Sequence, residues 1–218
     1  MTDAGVDWAW YAGGWQEALD DGRRDPQLPR QVIYSPGAHS PIFQPHHQPF
    51  NYFARFAPGT PDRAQHLLDG AQFMRAIDAG QLPQVSFYKP AGRHTEHPSY
   101  TDLASGDAHI DEVLHKLQKS PQWPRMAVIV TYDENGGFWD HVPPPKGAGW
   151  GDRWGPGTRI PALIVSPFAK RGYVDKTPYD TTSILRTIEE RWHLTSLSTR
   201  DAGANDLRPA LEDSPPAL

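Results

Sequence analysis

The sequence predicts a single α/β domain over residues 1–218. Two apolar runs of strand length, residues 126–131 and 160–165, lie among amphipathic helical segments, and this alternation is typical of a sheet covered by helices. The run at 126–131 is continuously apolar, which predicts a central, parallel strand covered on both faces. A chain of 218 residues can bury about 70% of its unfolded surface, so folding requires no disulfide or metal.

The remaining elements follow from periodicity and capping. Residues 1–62 are rich in Pro, Gly and aromatic side chains without a sustained period, which predicts ordered loops around short helical pieces. Helical spacing predicts a helix over residues 63–79, ended by a glycine, and a short apolar run predicts a strand over 85–88. Further amphipathic stretches predict helices over 107–119 and 183–192, and the tail after Thr199 reads as loop.

Composition excludes several classes of function. Lys and Arg total 21 against 26 Asp and Glu, a net charge of −5 without a block of like charge, so neither nucleic acid nor an anionic membrane is an expected partner. There is no apolar run of 18 residues and no signal-peptide pattern at the start, so we expect neither a transmembrane segment nor an export signal. The absence of Cys leaves His, carboxylates and hydroxyls to carry any chemistry.

Two adjacent carboxylates follow the predicted strand at 126–131. Asp133 and Glu134 precede Gly136 and Gly137, and glycines at a strand terminus let the backbone turn both acids toward one point. The carboxyl edge of a parallel sheet is where ligands bind, so the pair suits a divalent cation. A solvated acidic turn is the alternative, because Asp, Asn and Gly are ordinary turn residues.

Three more polar residues accompany the acid pair. Asn135, Asp140 and His141 lie among aromatic residues and before a Pro-Pro-Pro segment, a composition that indicates the wall of a site. Asp140 and His141 could equally pair with each other and hold the loop.

Three histidines stand out among the ten in the chain. His46, His47 and His97 neighbour proline and aromatic residues, which reduces solvation of an imidazole. Such side chains can ligate a metal, stabilise a phosphoryl oxygen or act as a general acid. Surface residues without a role are the competing interpretation.

Long stretches resemble a family of bacterial phosphoesterases that includes acid phosphatases and non-specific phospholipases C. The resemblance is carried by TYDENGGFWDHVPPPKG, by RWGPGTRIPALIVSPFAKRGYVD and by YDTTSILRTIEERW, with further similarity in DWAWYAGGW and HHQPFNYF. It covers nearly all of the chain.

This resemblance implies an alkaline-phosphatase-like α/β sandwich with a central, largely parallel sheet. It also implies a phosphomonoester or phosphodiester substrate such as a phospholipid headgroup. Asp133 and Glu134 would be ligands of a divalent metal ion of unknown identity, and His46, His47 and His97 would line the phosphate pocket. The implied reaction is attack by a hydroxyl on phosphorus, a covalent phosphoenzyme and hydrolysis by water.

The chain departs from the family pattern in two places. It contains no segment resembling the family's Glu-Asn pair or its nucleophilic Ser or Thr, so we expect it to be the C-terminal portion of an incomplete catalytic domain. Relatives also carry a His in the segment matching VDKTPYDTTS, where this chain has Lys176 and a Thr pair. The hydroxyls that could replace the nucleophile lie in no activating motif; they are Ser35, Ser40, Thr131, Ser166 and Thr181.

Two functions therefore remain open at the level of sequence. One is a metal-assisted phosphoric ester hydrolase that is active only with the missing N-terminal half, on the same parent chain or on a partner chain. The expected protein partners are accordingly that N-terminal half or further copies in a homo-oligomer. The other is an inactive remnant that keeps a phosphate pocket as a binding module. Full-length relatives are expected to be periplasmic or secreted, whereas the sequence of this chain indicates no particular compartment.

Overall fold

A computed structural model describes residues 1–33, 43–99, 101–146 and 154–213 of the chain. The chain divides into two compact units, Met1–Gln122 and Trp123–Leu218, which we call unit 1 and unit 2. Each unit contains its own sheet.

Unit 1 is built on a three-stranded parallel sheet. Its strands are β1 (Trp8–Ala12), β2 (Leu67–Asp69) and β3 (Val85–Lys89), in the order β2-β1-β3. All pairings are parallel, so the carboxyl ends of the three strands lie at one edge. The strand predicted over 85–88 is confirmed, and the parallel sheet with its helices confirms an α/β fold.

The central strand β1 falls where the sequence predicted loops, so that prediction was wrong. Its side chains are buried on both faces because aromatic partners cover them. Trp8 stacks on His66 with ring centroids 4.2 Å apart, and Trp10 stacks on Phe87 at 5.2 Å. A strand flanked by partners from distant segments shows no alternation of polar and apolar residues.

The helix predicted over residues 63–79 is interrupted by a strand. Thr60 caps the first part by accepting a hydrogen bond from Arg63 N. Asp69 then caps a second helix in a capping box with Gln72, and the intervening residues pair with β1. The helices of unit 1 are α1 (Trp15–Gly22), α2 (Pro61–His66), α3 (Gly70–Ala79) and α4 (Leu103–Lys119).

Unit 2 holds the two apolar runs, but as an antiparallel pair. Strands β4 (Val128–Thr131) and β5 (Ala162–Val165) pair with Val128 opposite Val165. The expectation of a central parallel strand, covered on both faces, is therefore wrong for the part of unit 2 that the structure describes. The side chains of β4 are only half-buried.

The C-terminal part of unit 2 is more ordered than the sequence predicted. Helix α5 (Thr182–Trp192) confirms the predicted helix, and α6 (Thr199–Gly203) follows where a loop was expected. Asp201 is buried in α6 and accepts a 2.7 Å hydrogen bond from Leu197 N, which fixes the tail locally. Among the described helices of both units, none combines the length and apolarity that a membrane span requires.

Candidate functional site

The acid pair of unit 2 lies at the end of β4, as the sequence predicted. Asp133 and Glu134 are exposed, and Glu134 Oε2 accepts a 2.6 Å hydrogen bond from Gly136 N. The two glycines that follow have φ values of 64° and 79°, in the left-handed region that favours glycine. This turn folds the chain back directly behind the carboxylates.

Asn135 and Asp140 hold this loop to the segment before β5. Asn135 Nδ2 donates to Thr158 Oγ1 at 2.5 Å, while both carboxylate oxygens of Asp140 bond the Arg159 side chain at 2.9 Å. These bonds from Arg159 hold the pKa of Asp140 well below its usual range. His141 Nδ1 is 3.8 Å from Asp140 and its side chain is 75% exposed. Asp140 is therefore a loop anchor whose main partner is Arg159.

His46 and His47 lie in unit 1 on a short 3-10 helix, Pro45–His47. Their rings are perpendicular with centroids 4.8 Å apart; His46 is exposed and His47 is buried. The Trp10 indole of β1 donates a 2.8 Å hydrogen bond to the carbonyl of His47. The central strand thus fixes the backbone of the histidine pair.

His97 lies in a strained loop of unit 1 after β3. Its neighbours Glu96 and Ser99 have φ values of 59° and 72°, which side chains of this kind adopt at some cost. Glu96 is buried against Gly106 of α4, where a Cβ atom would lie 2.1 Å from Glu96 Cγ. The glycine in α4 therefore makes room for the loop that presents His97.

The hydrogen bond of His97 assigns its neutral tautomer. His97 Nδ1 is 2.7 Å from the carbonyl oxygen of Pro98, and a carbonyl can only accept. The proton of the neutral ring consequently sits on Nδ1, which leaves the lone pair on Nε2.

The structure brings some of the predicted site residues together and leaves the others in separate units. Asp133, Glu134 and their loop belong to unit 2, whereas His46, His47 and His97 belong to unit 1. The meeting of acids and imidazoles in one pocket stays a prediction.

The donor set for a metal ion is incomplete within the described residues. No group of three or more His, Asp and Glu side chains that could hold an ion is present in ranges 1–33, 43–99, 101–146 and 154–213. Zn²⁺ requires about four donors and Mg²⁺ about six, so the described residues do not fit a complete metal shell.

The hydroxyls named as replacement nucleophiles are engaged where the structure describes their bonds. Thr131 Oγ1 donates to Pro161 O at 3.0 Å, and Ser166 Oγ donates to Met126 O at 2.7 Å. A hydroxyl that donates to a carbonyl is not activated by a base. Ser35 and Ser40 lie outside the described residues.

Sequence reasoning missed a cavity at the carboxyl edge of the parallel sheet in unit 1. His94 and His109, which were not among the predicted site residues, line it and stack with ring centroids 4.4 Å apart. Burial, followed by the charge of His94, lowers the pKa of His109. Gly13 and Gly14, directly after an aromatic run, were the signal that could have indicated a strand ending at a ligand site.

The parallel three-stranded sheet and its helices define an α/β protein. The model of the Phosphoesterase family matches residues 1–195, and the chain belongs to that family. The chain is 37% identical over 190 aligned residues to Non-specific phospholipase C1 of Arabidopsis thaliana. The alignment covers 70% of this chain and 35% of that protein.

Two bacterial relatives show the same relationship. Non-hemolytic phospholipase C of Burkholderia pseudomallei (strain K96243) is 34% identical over 178 aligned residues, covering 66% of this chain and 25% of that protein. Phospholipase C B of Mycobacterium tuberculosis (strain ATCC 25618 / H37Rv) is 30% identical over 158 aligned residues, covering 62% and 30% respectively. The matched region thus spans a quarter to about a third of the length of these curated relatives.

Proposed function

We propose that this chain is part of an enzyme that hydrolyses phosphoric ester bonds. Membership of the Phosphoesterase family over residues 1–195 carries the proposal. The turn that places Asp133 and Glu134 directly after β4 supports it.

In this proposal the imidazoles handle protons and phosphoryl oxygens. The Nδ1 proton of His97 is committed to the Pro98 carbonyl, so Nε2 is the atom that exchanges a proton with substrate. Once protonated, Nε2 can donate to the leaving oxygen as the ester bond breaks. His46 and His47 would stabilise non-bridging phosphoryl oxygens as hydrogen-bond donors.

Metal assistance and a phosphoenzyme intermediate are finer parts of the same proposal. A divalent ion on Asp133 and Glu134 would supply charge neutralisation of the phosphoryl group. The described residues offer no complete donor set for such an ion. The hydroxyl nucleophile would come from a segment that this sequence does not contain.

The names of the relatives favour a phospholipid as the substrate. The three relatives above carry the names of phospholipases C, so we propose a phosphodiester with a lipid alcohol as the substrate class. A phosphomonoester is the alternative implied by the acid phosphatases of the resemblance. Turnover of p-nitrophenyl phosphate and of p-nitrophenylphosphorylcholine by the same protein distinguishes the two.

The test compares the chain alone with a chimera. In the chimera, the 218 residues replace the matched region of the Burkholderia pseudomallei phospholipase C, and hydrolysis of both chromogenic esters is measured. We expect the chimera to be active and the double variant D133A/E134A to lose about 100-fold or more of its turnover. The chain alone should show no turnover above its own D133A/E134A variant.

A matched control uses the same dipeptide elsewhere in the chain. Asp111 and Glu112 are exposed on α4, and D111A/E112A should keep turnover within about twofold. Full activity of D133A/E134A in a folded chimera would refute the role of the acid pair. Turnover by the chain alone would show instead that its own residues supply the nucleophile.

A further inference from the structure

The cavity at the carboxyl edge of unit 1 has a volume of about 660 Å³. It opens where β1, β2 and β3 end, the position at which parallel sheets bind ligands.

Glycines shape the floor of the cavity. A Cβ atom on Gly13 would lie 2.2 Å from Ala91 N, so only glycine allows the ends of β1 and β3 to approach this closely. Gly14 follows with φ 81° as the N-cap of α1. The chain thereby turns from strand to helix within two residues.

Asp69 is the acidic group nearest the helix starts, and its charge is already compensated. Asp69 Oδ2 accepts a 3.0 Å hydrogen bond from Gln16 N in α1. Asp69 Oδ1 accepts a 2.8 Å bond from Ala71 N in α3. Two helix N-termini therefore stabilise this carboxylate, which reduces its repulsion of a further anion.

One wall consists of the rings of Tyr88, His94 and His109. Tyr88 Oη lies 2.7 Å from His109 Nε2, and burial strongly raises the pKa of Tyr88. Arg93 Nε donates to His94 Nε2 at 3.2 Å, so the neutral form of this ring carries its proton on Nδ1. That Nδ1 is buried and makes no hydrogen bond with any described residue.

The two arginines that line the cavity have no acidic partner among the residues that the structure describes. Neither Arg75 nor Arg93 forms an ion pair with a carboxylate of the described residues. Both guanidinium groups keep donors available, and planar guanidinium groups match the geometry of a phosphate. Glu17 is the acidic lining residue whose charge no described partner compensates.

We propose that this cavity binds a phosphate oxyanion, either inorganic phosphate or the terminal phosphate of a monoester, through Arg93 and Arg75. The proposal goes beyond ester hydrolysis, since it concerns binding by groups that take no part in the reaction proposed above. The cavity volume of about 660 Å³ leaves space for an organic group beside the phosphate.

The test titrates the 218-residue chain with inorganic phosphate by calorimetry and by ¹H–¹⁵N NMR. We expect saturable binding with shifts at the backbone amides of Gly13, Gly14 and His94. R93A should weaken the affinity about tenfold or more, and R75A should also weaken it, because each removes a guanidinium group from the lining of the cavity. E17Q should tighten binding, because it removes a repelling charge from the cavity.

The matched control is R23A, an exposed arginine of unit 1 outside the cavity. Its affinity for phosphate should equal that of the wild type, and near-ultraviolet circular dichroism verifies that each variant is folded. No saturable binding by the folded wild type, or equal losses in R93A and R23A, would overturn the proposal. These outcomes leave the hydrolysis test unchanged, because that test depends on Asp133 and Glu134.

A parallel titration with glycerol 3-phosphate distinguishes the two sources of the oxyanion. Binding at least as tight as that of inorganic phosphate, lost in R93A, assigns the site to phosphate monoesters. Weaker or absent binding of the ester, with phosphate binding intact, assigns it to free phosphate.

Discussion

The two units bury their apolar residues to very different degrees. In unit 1 the central strand has four of its five side chains buried, in the pattern of a covered strand. In unit 2 both strands are half-buried or exposed, and Leu163 of β5 is 58% exposed. Among the described residues of unit 2, the buried apolar side chains are Leu207 and Ala210.

This contrast shows that an apolar run does not determine its own burial. Both strands consist almost entirely of apolar and aromatic residues, yet β1 is the covered strand because aromatic side chains from distant segments pack on it. Apolar burial contributes about 25 cal/mol per Å². We therefore expect unit 1 to contribute most of the free energy of unfolding. Unit 2, which carries Asp133 and Glu134, should be the less stable of the two.

The largest effect expected from this comparison is a cavity in the core of unit 1. Ile77 is fully buried in α3, so I77A should reduce the free energy of unfolding by about 2–5 kcal/mol. The matched variant L163A in β5 should change it by about 0.5 kcal/mol or less. Urea unfolding followed by tryptophan fluorescence measures both, and equal losses would contradict the contrast between the units.

An intermediate effect is expected at Gly106, which makes room for Glu96 beside the His97 loop. G106A should cost about 1–3 kcal/mol through overpacking and should shift the NMR signals of the His97 ring. Gly203 of unit 2 meets nothing within 4 Å of an added Cβ, so G203A should be neutral or stabilising by about 0.5 kcal/mol. An unperturbed His97 ring in G106A would remove the positioning role assigned to this glycine.

The smallest effect concerns the loop anchor of unit 2 and depends on pH. Bonds from Arg159 lower the folded-state pKa of Asp140 below its unfolded value, which is about 3.9. Its contribution is therefore fully present well above pH 4 and is lost as the pH falls toward the folded pKa. The gap in urea midpoint between wild type and R159A should shrink on acidification from pH 6 to pH 2.

The exposed pair Arg23 and Asp20 of unit 1 provides the control. R23A should differ little from wild type at either pH, because exposed ion pairs contribute little to stability. A gap for R159A that stays constant between pH 6 and pH 2 would contradict the role of Asp140 as a charged anchor.

The regular elements were predicted best where local signals agree. Helices α4 and α5 and strands β3, β4 and β5 all fall where apolar periodicity placed them, within a few residues at their ends. The break at β2 was missed because residues 67–69 continue the helical spacing while their backbone pairs with β1. That pairing depends on a strand that lies more than 50 residues away in sequence.

The features of the candidate site also divide into those that local sequence predicted and those that depend on contacts between distant segments. The position of Asp133 and Glu134 at the end of a strand followed from the apolar run and the two glycines, and the turn confirms it. The main partner of Asp140 was not predictable, since Arg159 lies 19 residues further along the chain. His94 and His109 gave no local signal, because only folding brings a loop and a helix together as stacked rings.

The sequence by itself determined the family, the α/β class and the strand end that carries the acid pair, because motif, periodicity and turn residues are local properties. The tertiary structure alone decided strand direction, which apolar run is buried and where a cavity opens. Those features depend on contacts between segments far apart in the chain, and the free energy of such contacts is absent from any short stretch of sequence.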